Sequence, residues 1–404
     1  MQILSSLKLK SFAFLWSGQS ISRLGDSLYR IALSWWVLEK TGSAAIMGTV
    51  LIVSFTPMLI FLLIGGIAVD RISRTRLMLA SDILRGVVVV LVAYLAYTNS
   101  LEIWHIYVAS ILFGFVDAFF QPAFTALVPV IVPEKSLPSA NSLTNLSGQL
   151  AGMIGPAMGA ALISLGGTAF AFLLDGISFL ISAAFLIPLV SGIQETHTKI
   201  ETRNHVWHDF RDGFKTVFSI PWLWISIAVF ALGNIFLSGP INIGLPFLVK
   251  NVLQQDVRVL GWLYSAASVG AFLGTVYMGR LACIRHRGWL AYGSYFITGL
   301  VILGVGLFHN LPALLFFMFI NGVAMAVFGM IWVNLLQDKV PNEKLGRVSS
   351  IDMLGSFALL PIGFGIVGWL TDLIGASQVF VIGGAVSMLL ALLSLLSPHI
   401  RNLD

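Results

Sequence analysis

Apolar residues run along this chain in blocks of about twenty, the length a helix needs to cross the ~30 Å hydrocarbon layer of a bilayer. The blocks predict spans at 12–38, 44–69, 77–97, 104–129, 141–164 and 169–190, and again at 222–249, 258–281, 289–308, 312–336, 348–374 and 377–397. A spanning helix satisfies its own backbone groups where no water is present. The pattern therefore predicts an all-α polytopic membrane protein of twelve spans.

Composition sharpens this reading. Of 404 residues 57% are hydrophobic and only 10% charged, whereas soluble domains carry roughly 25% charged residues, so a water-soluble enzyme is excluded. Of the 23 Lys and Arg residues, Lys40, Lys250 and Arg258 fall in connections on one side. Arg23, Arg30 and Arg85 lie inside spans, and all the others fall on the opposite side or at the termini. Positive charge stays on the cytoplasmic face during insertion, so both termini and the 191–221 connection are expected to be cytoplasmic in a multi-pass cell-membrane protein. The net charge of +5 is a topology signal, and no nucleic-acid partner is expected. The run after Lys8 and Lys10 carries Arg23, Asp26 and Arg30, which a cleavable leader would lack; it is expected to remain as the first span.

The region 191–221 holds clustered charge and reads as a linker between two halves, 1–190 and 222–404. Shifted by 208 positions, the first half meets its echo: Val132-Pro133 falls on Val340-Pro341, Leu137 on Leu345, and Phe14-Leu15-Trp16 on Trp222-Leu223-Trp224. Such a duplication predicts two pseudo-symmetric six-helix bundles with a binding cavity between them near the midplane.

Between the second and third blocks stands a short charged loop, Gly66-x-x-x-Asp70-Arg71-x-x-Arg74-x-Arg76. This loop resembles the signature of the major facilitator superfamily, with Ser73 where that family often has Gly. Leu24-Gly25-Asp26, Gln121-Pro122-Ala123-Phe124 and Gln337-x-x-Val340-Pro341 followed by Leu345-Gly346-Arg347 are similar to its drug:proton antiporter branch, which includes macrolide and some siderophore exporters. Gly148, Gly152, Gly155, Pro156 and Gly159 resemble that branch's fifth-span motif, although Ala151 and Ala160 stand where it usually has Gly. The resemblance implies alternating access, a bacterial cytoplasmic membrane, a monomer, and efflux of a small amphipathic molecule such as a macrolide-like drug in exchange for protons. Export of a siderophore, movement of a lysophospholipid, and a non-transporting membrane receptor are the alternatives. An integral-membrane enzyme is not expected, because no nucleophile and base cluster at one depth.

A charge inside the membrane costs about 2.5–3.5 kcal/mol on insertion scales and persists where it faces a cavity or a partner. In the first span Gln19, Arg23, Asp26, Arg30 and Ser34 follow at intervals of three or four, forming one polar stripe on a helix. Asp26 lies within ion-pairing distance, by spacing, of both arginines. Asp26 and Asp117 are therefore the expected proton-coupling groups, Asp117 sharing a face with Gln121. Asp175 and Asp352 rank below them because each stands near a predicted span end. Gln19, Arg23, Arg30, Gln121, Asn234, Asn242, Asn321, Trp332 and Asn334 are the expected substrate-cavity residues. Asp70 is expected to latch the start of the eleventh span near Ser349 and Ser350, drawn by its free amides and helix dipole, with Gly66 allowing close approach and Arg71 and Arg74 ordering the charges. No phosphate-binding loop is found, His205 and His208 read as solvated, and no cofactor or metal is expected.

Overall fold

The computed structural model describes the backbone of residues 4–192, 206–281 and 284–404, and the side chains of the same residues except 62–71, 191–192, 206–210 and 342–343. Every regular element among the described residues is helical. The first half contains α1 (Lys10–Thr41), α2 (Ala44–Arg71), α3 (Arg74–Tyr97), α4 (Ile103–Ile131) and α5 (Leu137–Gly192). The second contains α6 (Val206–Ser219), α7 (Pro221–Gly239), α8 (Val257–Gly279), α9 (Arg287–Leu307), α10 (Leu311–Lys339), α11 (Asn342–Phe357), α12 (Leu360–Ile374) and α13 (Ala376–Leu396). Helix α7 runs on through π-helical turns at Pro240–Gly244 and Leu248–Val252.

Local chemistry sets many of the boundaries. Gly42 ends α1 in the left-handed conformation (φ 63°), which costs a residue without a side chain little. The Ser73 hydroxyl accepts from the Arg76 amide to start α3, and Asn310 accepts from Ala313 to start α10. Pro221 opens α7 from a first-turn position where its missing N–H goes unmissed.

Ten stretches among the described residues are long and apolar enough to span a bilayer. One of them, Glu134–Val190, is 57 residues long and is two passes rather than one. Its first limb tracks α1 in parallel: Trp16 Nε1 donates to Leu143 O, Ser20 meets Ser147, and Gly155 abuts Ser27. The second limb runs the other way along the same helix, with Ser182 beside Gly18 and Ser178 beside Gly25. The chain reverses at Gly167, whose φ of 75° is open to glycine and strained for other residues. Helix α1 is absent from the ten because of its internal charges, although it is a 32-residue helix. Counting both limbs and α1 gives the twelve passes read from the sequence.

The expected eleventh span, 348–374, is broken. Helix α11 ends at Phe357, and α12 begins at Leu360 with Pro361 in its first turn. Proline has no N–H to bond back into a preceding helix and disfavours the α conformation in the residue before it. The linker is not wholly irregular either: α6 packs on α11, with Asp212 Oδ2 3.8 Å from Arg347 Nη1 and Gly213 against Ile351. Residues 193–205 of that linker lie outside the described residues.

The chain forms two compact units: Met1–Gly42 with Val50–Ile200 and Asp256–Gly261, and Ser43–Thr49 with Glu201–Gln255 and Trp262–Asp404. In lipid, helices gain little from mutual apolar burial and associate through close packing and interhelical hydrogen bonds. The first unit shows both. Its α1 lies between the limbs of α5, and a Cβ at Gly155 would overlap Ser27. Phe12, Leu15, Met78, Phe120, Leu127, Leu143 and Leu186 form one buried cluster. In the second unit α9 packs on α13, and α7 packs on α12 and α13. There Asp372, near the end of α12, caps the start of α2: its carboxylate accepts from Ala44 N (2.6 Å), Ala45 N (3.0 Å) and Ser43 Oγ (2.6 Å). Large apolar side chains left open, such as Leu165 at 80% and Leu396 at 73% exposure, suit contact with hydrocarbon.

Candidate functional site

The first unit encloses a charged cluster built from four helix passes. Helix α1 contributes Gln19, Asp26 and Tyr29, α3 contributes Asp82 and Arg85, α4 contributes Asp117, and the returning limb of α5 contributes Asp175, Ser178 and Ser182. Arg85 is the hub. It is 5% exposed, and its Nη1 lies 3.1 Å from Asp117 Oδ1 while its Nη2 lies 3.4 Å from Asp82 Oδ1. Its guanidinium sits over the rings of Phe120, at 4.2 Å, and Phe179, at 4.9 Å. Buried cation–π contacts of this kind contribute about 2 kcal/mol, which helps offset the loss of water around the charge.

The two carboxylates paired with Arg85 stand in different surroundings. Asp82 is fully buried, and its Oδ2 accepts from Ser182 Oγ at 2.7 Å and Gln19 Nε2 at 3.2 Å. Gln19 Nε2 also donates to Ser182 Oγ at 2.9 Å, so the three side chains brace one another across α1, α3 and α5. Every oxygen of Asp82 has a donor, as a buried charge requires. The Asp117 side chain is 35% exposed, so one carboxylate of the pair is sealed in and the other is open at its edge.

Asp26 is half-buried. No ion pair joins it to Arg23 or Arg30 among the described residues, which corrects the pairing expected from spacing alone. Arg23 instead donates from Nη1 to Thr144 O at 2.7 Å and lies 5.4 Å from the Phe124 ring centre, while Arg30 is exposed. The ion pairs of the cluster are made by Arg85 of α3, with Asp82 and Asp117.

Asp82 was missed in the sequence, and Arg85 was noted only as lying inside a span. Their signal was present: an acid and a base three residues apart inside the 77–97 apolar block. Asp175 was ranked low as a group near a span end. It is 0% exposed, because the chain turns at Gly167 and buries the following stretch against α1.

The other expected site residues lie as follows. Gln19 and Arg23 border one pocket with Trp16, Phe124 and Thr144, and Gln121 is exposed on α4. In the second unit Trp332 Nε1 donates to Asp352 Oδ2 at 2.9 Å, and Ser356 Oγ donates to Asp352 Oδ1 at 3.3 Å. Asp352 lies in the body of α11, held by these donors. Trp332 packs edge-on against Phe230 at 4.9 Å and Trp222 at 5.8 Å, and Asn234 Nδ2 donates to Ser356 O at 2.9 Å. Asn242 donates to Ser238 O one turn back, a local bond that leaves its side-chain oxygen uncommitted to that contact. Asn321 and Asn334 are half-buried on α10.

The side chains of the expected gate residues Gly66, Asp70 and Arg71 lie outside the described residues. Arg74 Nη1 reaches Ala126 O at 3.4 Å. Ser349 and Ser350 do not stand at the helix start. Helix α11 begins at Asn342, directly after Pro341, so its free amides lie about two turns earlier, and Ser350 Oγ is turned back onto Gly346 O.

Comparison with known proteins agrees with this architecture. The model of the transmembrane secretion effector family matches residues 2–404. The chain is 24% identical over 410 residues to macrolide efflux protein A of Streptococcus pyogenes, covering 100% of both chains. It is 25% identical to the multidrug efflux pump Tap of Mycolicibacterium fortuitum over 394 residues, 94% of each. Among solved structures it superposes on a bacterial homologue of the human lysosomal transporter Spinster with a TM-score of 0.72 at 14% identity, covering 97% of this chain and 98% of that one. The chain belongs to the transmembrane secretion effector family of the major facilitator superfamily and is a multi-pass membrane efflux transporter, not an enzyme.

Proposed function

We propose that this transporter expels an amphipathic, macrolide-like organic molecule from the bacterial cytoplasm in exchange for protons, by alternating access, with both termini cytoplasmic. Asp26 and Asp117 are the proton-coupling groups. The observation that carries this reading is the 3.1 Å ion pair between Arg85 and a partly open Asp117, in the same charged cluster of the first unit as a half-buried Asp26. A proton taken up by either acid changes what the guanidinium is attracted to, and so links protonation to the packing of α1, α3 and α4. Intramembrane acids of this kind mark proton relays.

The amide and aromatic groups on the predicted substrate path, Gln121, Asn321, Asn334 and the Trp332 cluster, offer hydrogen bonds and flat apolar faces without fixing one shape. The similarity to macrolide efflux protein A and to Tap supports a bulky drug-like cargo. The test is a drug-accumulation panel in cells lacking other pumps, with and without a protonophore. The proposal expects expression to lower macrolide accumulation and the protonophore to restore it. Accumulation unaffected by the protonophore removes proton exchange, and a panel with no responding macrolide removes the cargo.

A further inference from the structure

Beneath the Arg85 cluster lies an acid that the pairing just described leaves out. Asp175 is 0% exposed. Among the described residues its Oδ2 has no hydrogen-bond partner, and its Oδ1 only meets Ser178 Oγ at 3.4 Å. That hydroxyl is spent mainly on the Asp175 backbone oxygen, at 2.7 Å. Two further buried polar atoms nearby lack partners, the Tyr29 hydroxyl and Arg85 Nε.

Among the described residues no cation pairs with Asp175. Both terminal nitrogens of Arg85 are committed, one to Asp82 and one to Asp117, and Arg23 is turned to Thr144. The charged and titratable groups facing Asp175 are Asp26 and Tyr29 from α1 and Arg85 from α3. Around them are the rings of Phe113, Phe172 and Phe179, with Tyr29 stacked on Phe113 at 5.3 Å. Gly25, next to Asp26, faces this acid closely enough that a Cβ there would fall on Ser178 Oγ and Asp175 Oδ1. A buried carboxylate with neither donor nor counter-charge is among the costliest arrangements in a protein interior, and a protonated acid is not.

We propose that Asp175 is a proton-holding site of this transporter, exchanging its proton with Asp26 under the charge of Arg85. The step balances: the carboxylic O–H of Asp175 breaks, the proton passes through water to the Asp26 carboxylate, and one negative charge moves from Asp26 to Asp175. The inference rests on the proton-exchange reading above.

Infrared titration of the purified full-length protein in lipid tests it without needing a cargo. The wild type should show a buried carboxylic C=O band at neutral pH that Asp175→Asn removes and Asp82→Asn leaves, and the band should bleach as the pH is raised. Asp175→Glu, which keeps the acid, should shift the band rather than delete it and covers the case in which the asparagine variant misfolds. A wild type without such a band, a band untouched by both Asp175 variants, or one that no pH bleaches overturns the proposal. Failure of the proton-exchange reading shows elsewhere, as drug transport in proteoliposomes indifferent to a pH gradient.

Discussion

Replacing Arg85 with glutamine removes the one cation that Asp82 and Asp117 share, and the structure sets the size of the effect. Asp117 is a third exposed, so water screens its loss and it adds little. Asp82 is fully buried and Arg85 nearly so, so no such discount applies to that pair. Breaking a buried pair from one side costs about 3–5 kcal/mol, because the stranded charge stays behind. At 2–4 °C per kcal/mol for bodies of about this size, Tm should fall by roughly 6–20 °C. The assay is thermal unfolding of the detergent-purified protein followed by tryptophan fluorescence, for Arg85→Gln and for the double variant Asp82→Asn/Arg85→Gln. The double variant should recover at least half of the loss, since Gln19 and Ser182 can still bond the amide that replaces the carboxylate. A single variant within about 2 °C of wild type, or a double variant no better than the single, refutes the view that charge compensation holds this cluster.

Three further substitutions probe other parts of the fold. In Gly25→Ala the new methyl falls on Ser178 Oγ and Asp175 Oδ1; overpacking of this kind costs about 1–3 kcal/mol, so Tm should drop by several degrees, and an unchanged Tm would show that α1 can move away. Asp372→Ala strips three hydrogen bonds from the start of α2, worth roughly 0.5–2 kcal/mol for a lost cap. Amide exchange at Ala44 and Ala45 should then quicken while that of α9 stays as it was, and equal protection in both proteins would contradict the cap. Trp332→Phe keeps the ring packing on Phe230 but deprives Asp352 of its indole donor, a loss of about 1.5–3 kcal/mol for a bond to a charged acceptor. The check is Tm, with no change counting against the bond.

Much of this was legible in the chain itself. Length and composition of the apolar blocks decided the fold class, because a bilayer tolerates few alternatives to a helix. The stripe through Gln19, Arg23 and Asp26 does lie on α1, where Gln19 bonds Asp82 and Ser182. What spacing did not show was which partner each charge takes, since that depends on how helices distant in sequence are brought together. Arg23 stands three residues from Asp26 but takes the Thr144 carbonyl, while the cation that pairs the cluster's acids, Arg85, comes from α3. Asp175 looks terminal by its place in its apolar block, whereas packing against α1 carries that part of the limb into the interior. Ser349 and Ser350 were misplaced for the same reason: the apolar block begins later than the helix, which Pro341 starts at Asn342. In each case the misreading came from taking the edge of an apolar block for the end of a helix or the edge of the core.

The account stands or falls on whether cargo and protons compete through the acids around Arg85. The most direct measurement is proton release from the purified, weakly buffered protein on adding a macrolide that the cells are shown to expel. Wild type should release protons in proportion to macrolide bound, and Asp26→Asn/Asp117→Asn should bind without releasing them. Equal release from the double variant, or none from a wild type that still transports, would contradict the central claim.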